Sequence, residues 1–165
     1  VHMLDVANWM LKSHPLRACG TGGRKARVDV GDCWDHFVVT YWYPNDVIID
    51  FSSGQFVHAF EDLCTRLHCT TGSIDTHYGG EVVVEGKSEA YRPGATTAIY
   101  QEGAVANIQA FHAAIAAGKP INNAQESAHS TLTGVLGRMA AYQGRTITWD
   151  EMMQANEKLE ANLNL

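Results

Sequence analysis

His2 and Asp5 stand three residues apart at the head of a segment with helical apolar spacing. Positions i and i+3 are neighbours on a helix surface, so the two side chains can share one site. A neutral imidazole can take a proton from a hydroxyl near neutral pH, and a carboxylate beside it can orient the ring or hold a substrate. An exposed helix terminus with two solvated polar groups fits the same spacing. Asp35 and His36 precede a strongly apolar strand. Adjacent strand residues point to opposite faces, so one of the two is expected to face a cleft rather than form a side-by-side pair. A polar strand edge is the plainer alternative. His58, His68, His77 and Tyr78 fall in or beside predicted strands. His68, Cys69 and His77 carry donors that suit zinc, but they have no recognised ligand spacing, and no metal is expected. His112 and His129 lie within helical segments and read as structural. Arg24, Lys25 and Arg27 could hold a phosphorylated substrate, although a solvated loop accounts for them more simply.

Gly20-Thr21-Gly22-Gly23 invites a dinucleotide reading, which fails. That fingerprint needs Gly-x-Gly-x-x-Gly between a strand and a helix. Position 25 is Lys, and the run RKARVDVGD that follows does not open a helix. No nucleophile-elbow motif occurs. The cysteines at 19, 33, 64 and 69 form no C-x-x-C pair, so free thiols in a reducing, cytoplasmic compartment are expected, with an exported protein in which Cys64 and Cys69 pair as the alternative. The net charge of −6 argues against nucleic-acid or anionic-membrane partners, since both need a basic face. Hydrophobic residues make up 45% and charged residues 18%, a composition that suits one globular domain over residues 1–165.

These residues need elements to hold them. Met3, Ala7 and Met10, with Leu4 and Leu11 beside them, predict a first helix that Pro15 stops. LRACG (16–20) suits a short strand, and GTGGRKARVDVGD a polar loop. DHFVVTYWYP and DVIIDFSSGQF read as a hairpin turning at Pro44-Asn45-Asp46. Strands follow at 63–69, 73–77 and 81–86, then an aperiodic loop over 87–98. Val105, Ile108, Phe111 and Ile115 mark a helix that Gly118 and Pro120 end. A second helix starts at Asn123, with Glu126 completing a capping-box-like start. Its apolar face is Ala128, Leu132, Val135, Leu136, Met139 and Ala140. RTIT is a short strand, and Thr148-Trp149-Asp150-Glu151 is a second capping box. A helix, then hairpin-linked strands, then helices predict α+β architecture: an open-faced, largely antiparallel mixed sheet with helices on one face. Strand 37–43 is apolar on both alternating sets, so its free face is expected to be buried in a homodimer or tetramer.

Several stretches carry a resemblance. VHMLDVANWML with HPLRACGTGGR, WDHFVVTYWYPNDVIIDFSSGQF, HCTTGSIDTHYGGEVVVEG, GAVANIQAFHAAIAAGKPINN and STLTGVLGRMAAYQGRTITWDEMM occur in family order along the chain. They resemble the C-terminal domain of the glucose–fructose oxidoreductase/inositol dehydrogenase/rhizopine-catabolism family.

The resemblance implies a sheet-and-helix domain like the C-terminal domain of glyceraldehyde-3-phosphate dehydrogenase. It also implies a separate Rossmann domain, absent from this chain, that binds NAD or NADP and supplies a catalytic lysine. No cofactor is therefore expected on residues 1–165, which should be inactive alone. The implied reaction is oxidation of a sugar or polyol hydroxyl. His2 matches the family's catalytic histidine in the frame His-x-x-Asp-Val. The aspartate four residues before it in the family motif lies outside this sequence, and His2-Met3 is also a pair that cloning leaves behind. Asp5 would orient His2 or touch the sugar, and Asp35, His36 and Tyr78 are the further substrate-binding candidates. Some relatives use the redox step within glycoside cleavage, and a stand-alone binding or assembly module of the same fold is the non-enzymatic alternative.

Overall fold

The computed structural model describes residues 1–55, 61–87, 90–96 and 98–159. His58, one of the histidines singled out above, lies outside them. The architecture is α+β, and every described strand ladder is antiparallel. Among the described residues the strands fall into two four-stranded sheets. The chain divides into two compact units. One comprises Val1, Met3–Ala59 and Ala128–Leu165, and the other His2 with Phe60–Ser127. No helix of the described residues is long and apolar enough to cross a membrane.

The first unit is built on strands β1 (Arg17–Gly23), β2 (His36–Trp42), β3 (Ile48–Gly54) and β8 (Ile147–Thr148), in the order β3-β2-β1-β8. Alternation along β2 buries Val39 and Tyr41, with Tyr43 just beyond the strand end, and turns Val38, Thr40 and Trp42 the other way. Helices α1 (His2–Leu11), α3 (Ala124–Gln143) and α4 (Trp149–Ala155) supply the rest of this core: Leu4, Leu136, Met139, Ala140, Trp149 and Met152 cluster with Ala18, Val39, Tyr41 and Ile147. The Tyr41 and Tyr43 phenols titrate well above their ordinary value because burial disfavours the phenolate. α3 approaches the sheet closely at Gly137. A Cβ there would stand 2.0 Å from the Tyr41 hydroxyl, so only glycine fits. A buried polar link ties three elements together. Asn8 on α1 donates to Thr133 Oγ1 at 3.0 Å and accepts from the Tyr43 hydroxyl at 2.7 Å.

The second unit carries β4 (Cys64–His68), β5 (Gly72–His77), β6 (Glu81–Gly86) and β7 (Ala90–Ala95), paired in chain order, followed by α2 (Ile99–Ala116). The three central expectations for strands here match β4, β5 and β6. Residues 87–98, expected as a loop, contain β7. Pro93 and a left-handed Gly94 (φ 94°) broke its pattern. An edge strand tolerates both, because one side of its backbone needs no ladder partner.

Two other boundaries moved. GTGG, expected as the start of a loop, is the end of β1. Its glycines serve close strand packing, since a Cβ on Gly22 would fall 2.2 Å from the His36 carbonyl oxygen. α1 ends at Leu11, ahead of Pro15, with Lys12 in the left-handed region. The α4 start is as the sequence indicates, for Thr148 Oγ1 accepts from the Glu151 N–H at 3.1 Å. The Glu151 carboxylate instead pairs with Arg145 at 2.5 Å. The start of α3 is capped one residue earlier than expected, by Asn122 Oδ1 accepting from the Ala124 N–H at 3.0 Å.

Candidate functional site

His2 opens α1, exposed to solvent in the first helical turn. Its ring stacks nearly parallel on Tyr78, with centroids 5.4 Å apart and planes at 15°. Tyr78 follows β5 directly, placed by the β4–β5 pairing and by its N–H bonded to the Leu63 carbonyl at 2.8 Å. Tyr100, in the first turn of α2, meets Tyr78 edge-on at 6.0 Å. A hydroxyl–hydroxyl bond to Tyr100, ahead of burial, raises the Tyr78 pKa, so the Tyr78 hydroxyl stays protonated and able to donate. The structure thus brings together two residues singled out separately, His2 and Tyr78, and adds Tyr100, which sequence reasoning missed. Only its position in the first turn of a helix marked it, and that signal points to no ligand.

Asp5 lies one turn along α1 from His2. Its Oδ1 accepts a hydrogen bond from Ser130 Oγ on α3 at 2.5 Å. That bond fixes the carboxylate against α3 while leaving its second oxygen for other donors.

Asp35 and His36 behave differently from expectation. Asp35 sits in the bend before β2, where strand alternation does not yet apply, and the two side chains do pair: His36 Nδ1 stands 2.7 Å from Asp35 Oδ1. An ionised carboxylate can only accept, so Nδ1 carries the proton. The other oxygen, Oδ2, accepts from the N–H groups of Lys25, Ala26 and Arg27 at 2.9, 2.8 and 2.8 Å. The Arg27 N–H above all, then His36 and the Lys25 and Ala26 N–H groups, outweigh the opposing cost of burial and hold the Asp35 carboxyl far below the usual range. The Arg24 guanidinium closes the same loop by donating to the carbonyls of Arg27, Asp29 and Gly31. Asp35 is therefore an anchor of loop 24–34. Arg24 is likewise spent on that loop rather than displayed for a phosphate.

Among the histidines read as structural, His129 meets His14 and Trp149 edge-on, and His14 stacks on Trp149 with centroids 3.9 Å apart. The trio His68, Cys69 and His77 is not assembled. Register pairs His68 with Ser73 and His77 with Cys64, at opposite ends of the hairpin.

Residues 1–75 match the family model described as the GFO/IDH/MocA C-terminal domain. A comparison with curated proteins finds no match. Solved structures similar to this chain include an aldose-aldose oxidoreductase from Caulobacter crescentus complexed with glycerol. It is 15% identical with a TM-score of 0.68, over 89% of this chain and 45% of that one. Another is scyllo-inositol dehydrogenase from Lactobacillus casei with bound NAD(H) and scyllo-inositol, at 14% identity and TM-score 0.68, over 90% of this chain and 46% of that one. A third, an oxidoreductase from Agrobacterium radiobacter in complex with NAD+, L-tartaric acid and magnesium, is 17% identical with TM-score 0.67, over 92% and 48%. Residues 1–75, under half of the chain, match that C-terminal domain model in sequence, and the solved oxidoreductases share the chain's fold over most of its length. The chain spans less than half the length of these solved relatives.

Proposed function

We propose that this chain is the substrate-side half of an NAD(P)-dependent oxidoreductase acting on a sugar or polyol hydroxyl, with His2 as its acid/base residue. The observation that carries the reading is the family match over residues 1–75, a stretch that contains His2, Asp5, Asp35 and His36. Two of the similar structures are named with polyols bound, glycerol and scyllo-inositol, which supports the substrate class. In this reading the imidazole of His2 accepts the proton of the substrate hydroxyl as that carbon is oxidised. Tyr78 orients the ring by stacking and offers a polar contact to the sugar, and His36 remains a substrate-binding candidate on the other unit. Asp5 supports the same helix end. Asp35 contributes by fixing loop 24–34 and the His36 tautomer.

This reading places the dinucleotide outside residues 1–165. The glycine-rich run at 20–23 is antiparallel strand packed against β2, and no helix N-terminus follows it to receive a pyrophosphate. NAD or NADP and the family's lysine would belong to a nucleotide-binding domain outside residues 1–165, and these residues alone would be inactive. In the protein carrying both domains, His2→Ala should lower kcat by about 10²–10⁴-fold, the usual scale for a general acid/base, with cofactor affinity nearly unchanged. An unaltered kcat, with chemistry shown to be rate-limiting, removes His2 from the mechanism.

The reading includes a homodimer or tetramer through the open face of the β1–β3 sheet. That face presents Val38 and Ile48, both more than half exposed, beside Trp42. Exposed apolar side chains on one sheet face favour burial against a symmetry-related copy. Light scattering that reads a monomer at tens of micromolar would remove this part.

A further inference from the structure

The β4–β5 hairpin gathers a set of donors that the proposed oxidoreductase reaction does not use. Register sets Cys64 opposite His77 and Arg66 opposite Asp75. Side chains two apart on a strand share a face, so these four groups point the same way. Asp62, just ahead of β4, joins them. One ligand atom each from Asp62, Cys64 and His77 lies within 4.8 Å of the other two. Tetrahedral zinc, with bonds of about 2.0–2.3 Å, places its ligand atoms roughly 3.3–3.8 Å apart. Asp62 Oδ1 and His77 Nδ1 already stand 3.3 Å apart. Closing the set takes side-chain movement of about 1 Å, within reach of groups that are about one-third exposed.

The surroundings supply what a ligating histidine needs. His77 Nε2 is 3.1 Å from Asp75 Oδ1. The Arg66 guanidinium, which can only donate, now faces that same Nε2 at 3.4 Å. With Arg66 moved out, the Asp75 carboxylate would accept a hydrogen bond from the Nε2 proton and leave the Nδ1 lone pair directed toward Asp62 and Cys64, the outer-shell arrangement that orients metal-bound imidazoles. Asp75 Oδ1 is itself buried without a well-directed donor, although Arg66 Nε lies 3.2 Å away. Arg66 is the cation now among these groups, within 3.4 Å of both Asp62 and His77. Its side chain is 44% exposed, so it has a path outward to solvent.

We propose that Cys64, His77 Nδ1 and Asp62 form a three-ligand site for a zinc-class divalent cation, with Asp75 orienting His77 and Arg66 moving aside on binding. A thiolate, an imidazole and a carboxylate together favour zinc over magnesium or calcium, which take oxygen ligands. The ion would clip the first hairpin of a unit in which none of the described residues is fully buried. Ligation would then stabilise that unit directly.

Cobalt(II), a spectroscopic stand-in for zinc, tests this on the full chain. One equivalent should produce thiolate-to-cobalt charge-transfer absorption and a tetrahedral visible spectrum, both removed by adding zinc but not magnesium. Cys64→Ser, which keeps the side-chain size, should abolish the charge-transfer band and weaken zinc binding by more than about 100-fold. Asp75→Asn should weaken it by about 10–100-fold, the usual scale for an orienting carboxylate. Cys33→Ser, at an exposed thiol remote in sequence, should change neither. Arg66→Met should tighten binding by removing the competing cation. Circular dichroism checks the fold of each variant, and Asp62→Asn gives an independent ligand change should Cys64→Ser fail to fold. A chain that binds no cobalt or zinc overturns the site, as does a charge-transfer band that survives Cys64→Ser. Zinc affinity indifferent to both the Cys64 and Asp62 changes overturns it equally.

Discussion

The two units of this chain use similar materials to different ends. In the unit built on β1–β3 and β8, a sheet face and three helices enclose Leu136, Ile147 and Ala18 completely. In the unit built on β4–β7 and α2, none of the described residues is fully buried, and the apolar row of α2 stands open. Ile108 and Phe111 are each 61% exposed. Both regions carry clear apolar periodicity. Periodicity therefore reports which face of an element seeks burial, not whether the partner lies in the same chain. That a chain of 165 residues needs no disulfide or metal staple rests on the assumption of one core. The first unit satisfies that assumption, and the second does not.

The largest expected effect follows directly. Leu136→Ala empties a fully buried site between α3 and the sheet, and should cost about 2–5 kcal/mol in denaturant unfolding. If it costs no more than an equivalent change on α2, the contrast between the units is wrong.

A second effect sharpens the comparison within the first unit. Residues 25–33 of loop 24–34 bury no apolar side chain, with Val28 and Val30 almost fully exposed, and only Trp34 at the loop's end packs, against Phe37 and Tyr142. The loop's order depends on the Asp35 carboxylate. The folded-state pKa of Asp35 is depressed below the unfolded value of about 3.9. The stabilisation is therefore complete above that value and is lost as pH falls through the folded pKa. The stability difference between the parent chain and Asp35→Asn should be constant from about pH 5 upward and shrink below about pH 4. A difference that stays level into strong acid would show that Asp35 acts through shape rather than charge. Amide exchange at Lys25, Ala26 and Arg27 gives the same information residue by residue, since those three N–H groups are bonded to Asp35.

Much of this was legible beforehand, and the misses have physical causes. β4, β5 and β6 were readable from β-branched runs between turns, and the α4 cap from Thr148 and Glu151. β7 was hidden by Pro93 and Gly94, residues that only an edge position tolerates. β1 was cut short because its glycines looked like a loop, when they answer the close approach of β2 at Gly22. For the candidate site, spacing put His2 and Asp5 at the head of one helix, but it did not show that His2 stacks on Tyr78 while Asp5 bonds Ser130. The pairing of Asp35 with His36 was misjudged, because alternation was applied one residue before the strand begins. Partners far apart in sequence left no trace: nothing near Asn8 announces Thr133 or Tyr43, and nothing near Cys64 announces His77. Asn8 did leave one usable mark. It is a polar residue at the spacing of Leu4 and Leu11, in a row that is otherwise apolar, and a buried amide there requires partners from elsewhere.

The smallest expected effect bears most directly on the difference between the two units. Ile108 lies mid-helix on α2, in line with Val105, Phe111 and Ile115, and each of the four is at least half exposed. Substituting alanine removes a β-branched side chain, which lowers helix propensity, and replaces it with the best helix former. Little buried contact is lost in exchange. The net change in unfolding free energy of the chain should fall within about 0.5 kcal/mol, the usual range for surface sites. Phe111→Ala should behave alike despite its larger side chain, because its exposure is the same. The measurement is equilibrium unfolding at two protein concentrations. A loss of several kcal/mol that grows with concentration would mean that the α2 row is covered by a second copy. A comparable loss independent of concentration would mean that the row packs within the chain, and the second unit would then have a core of its own.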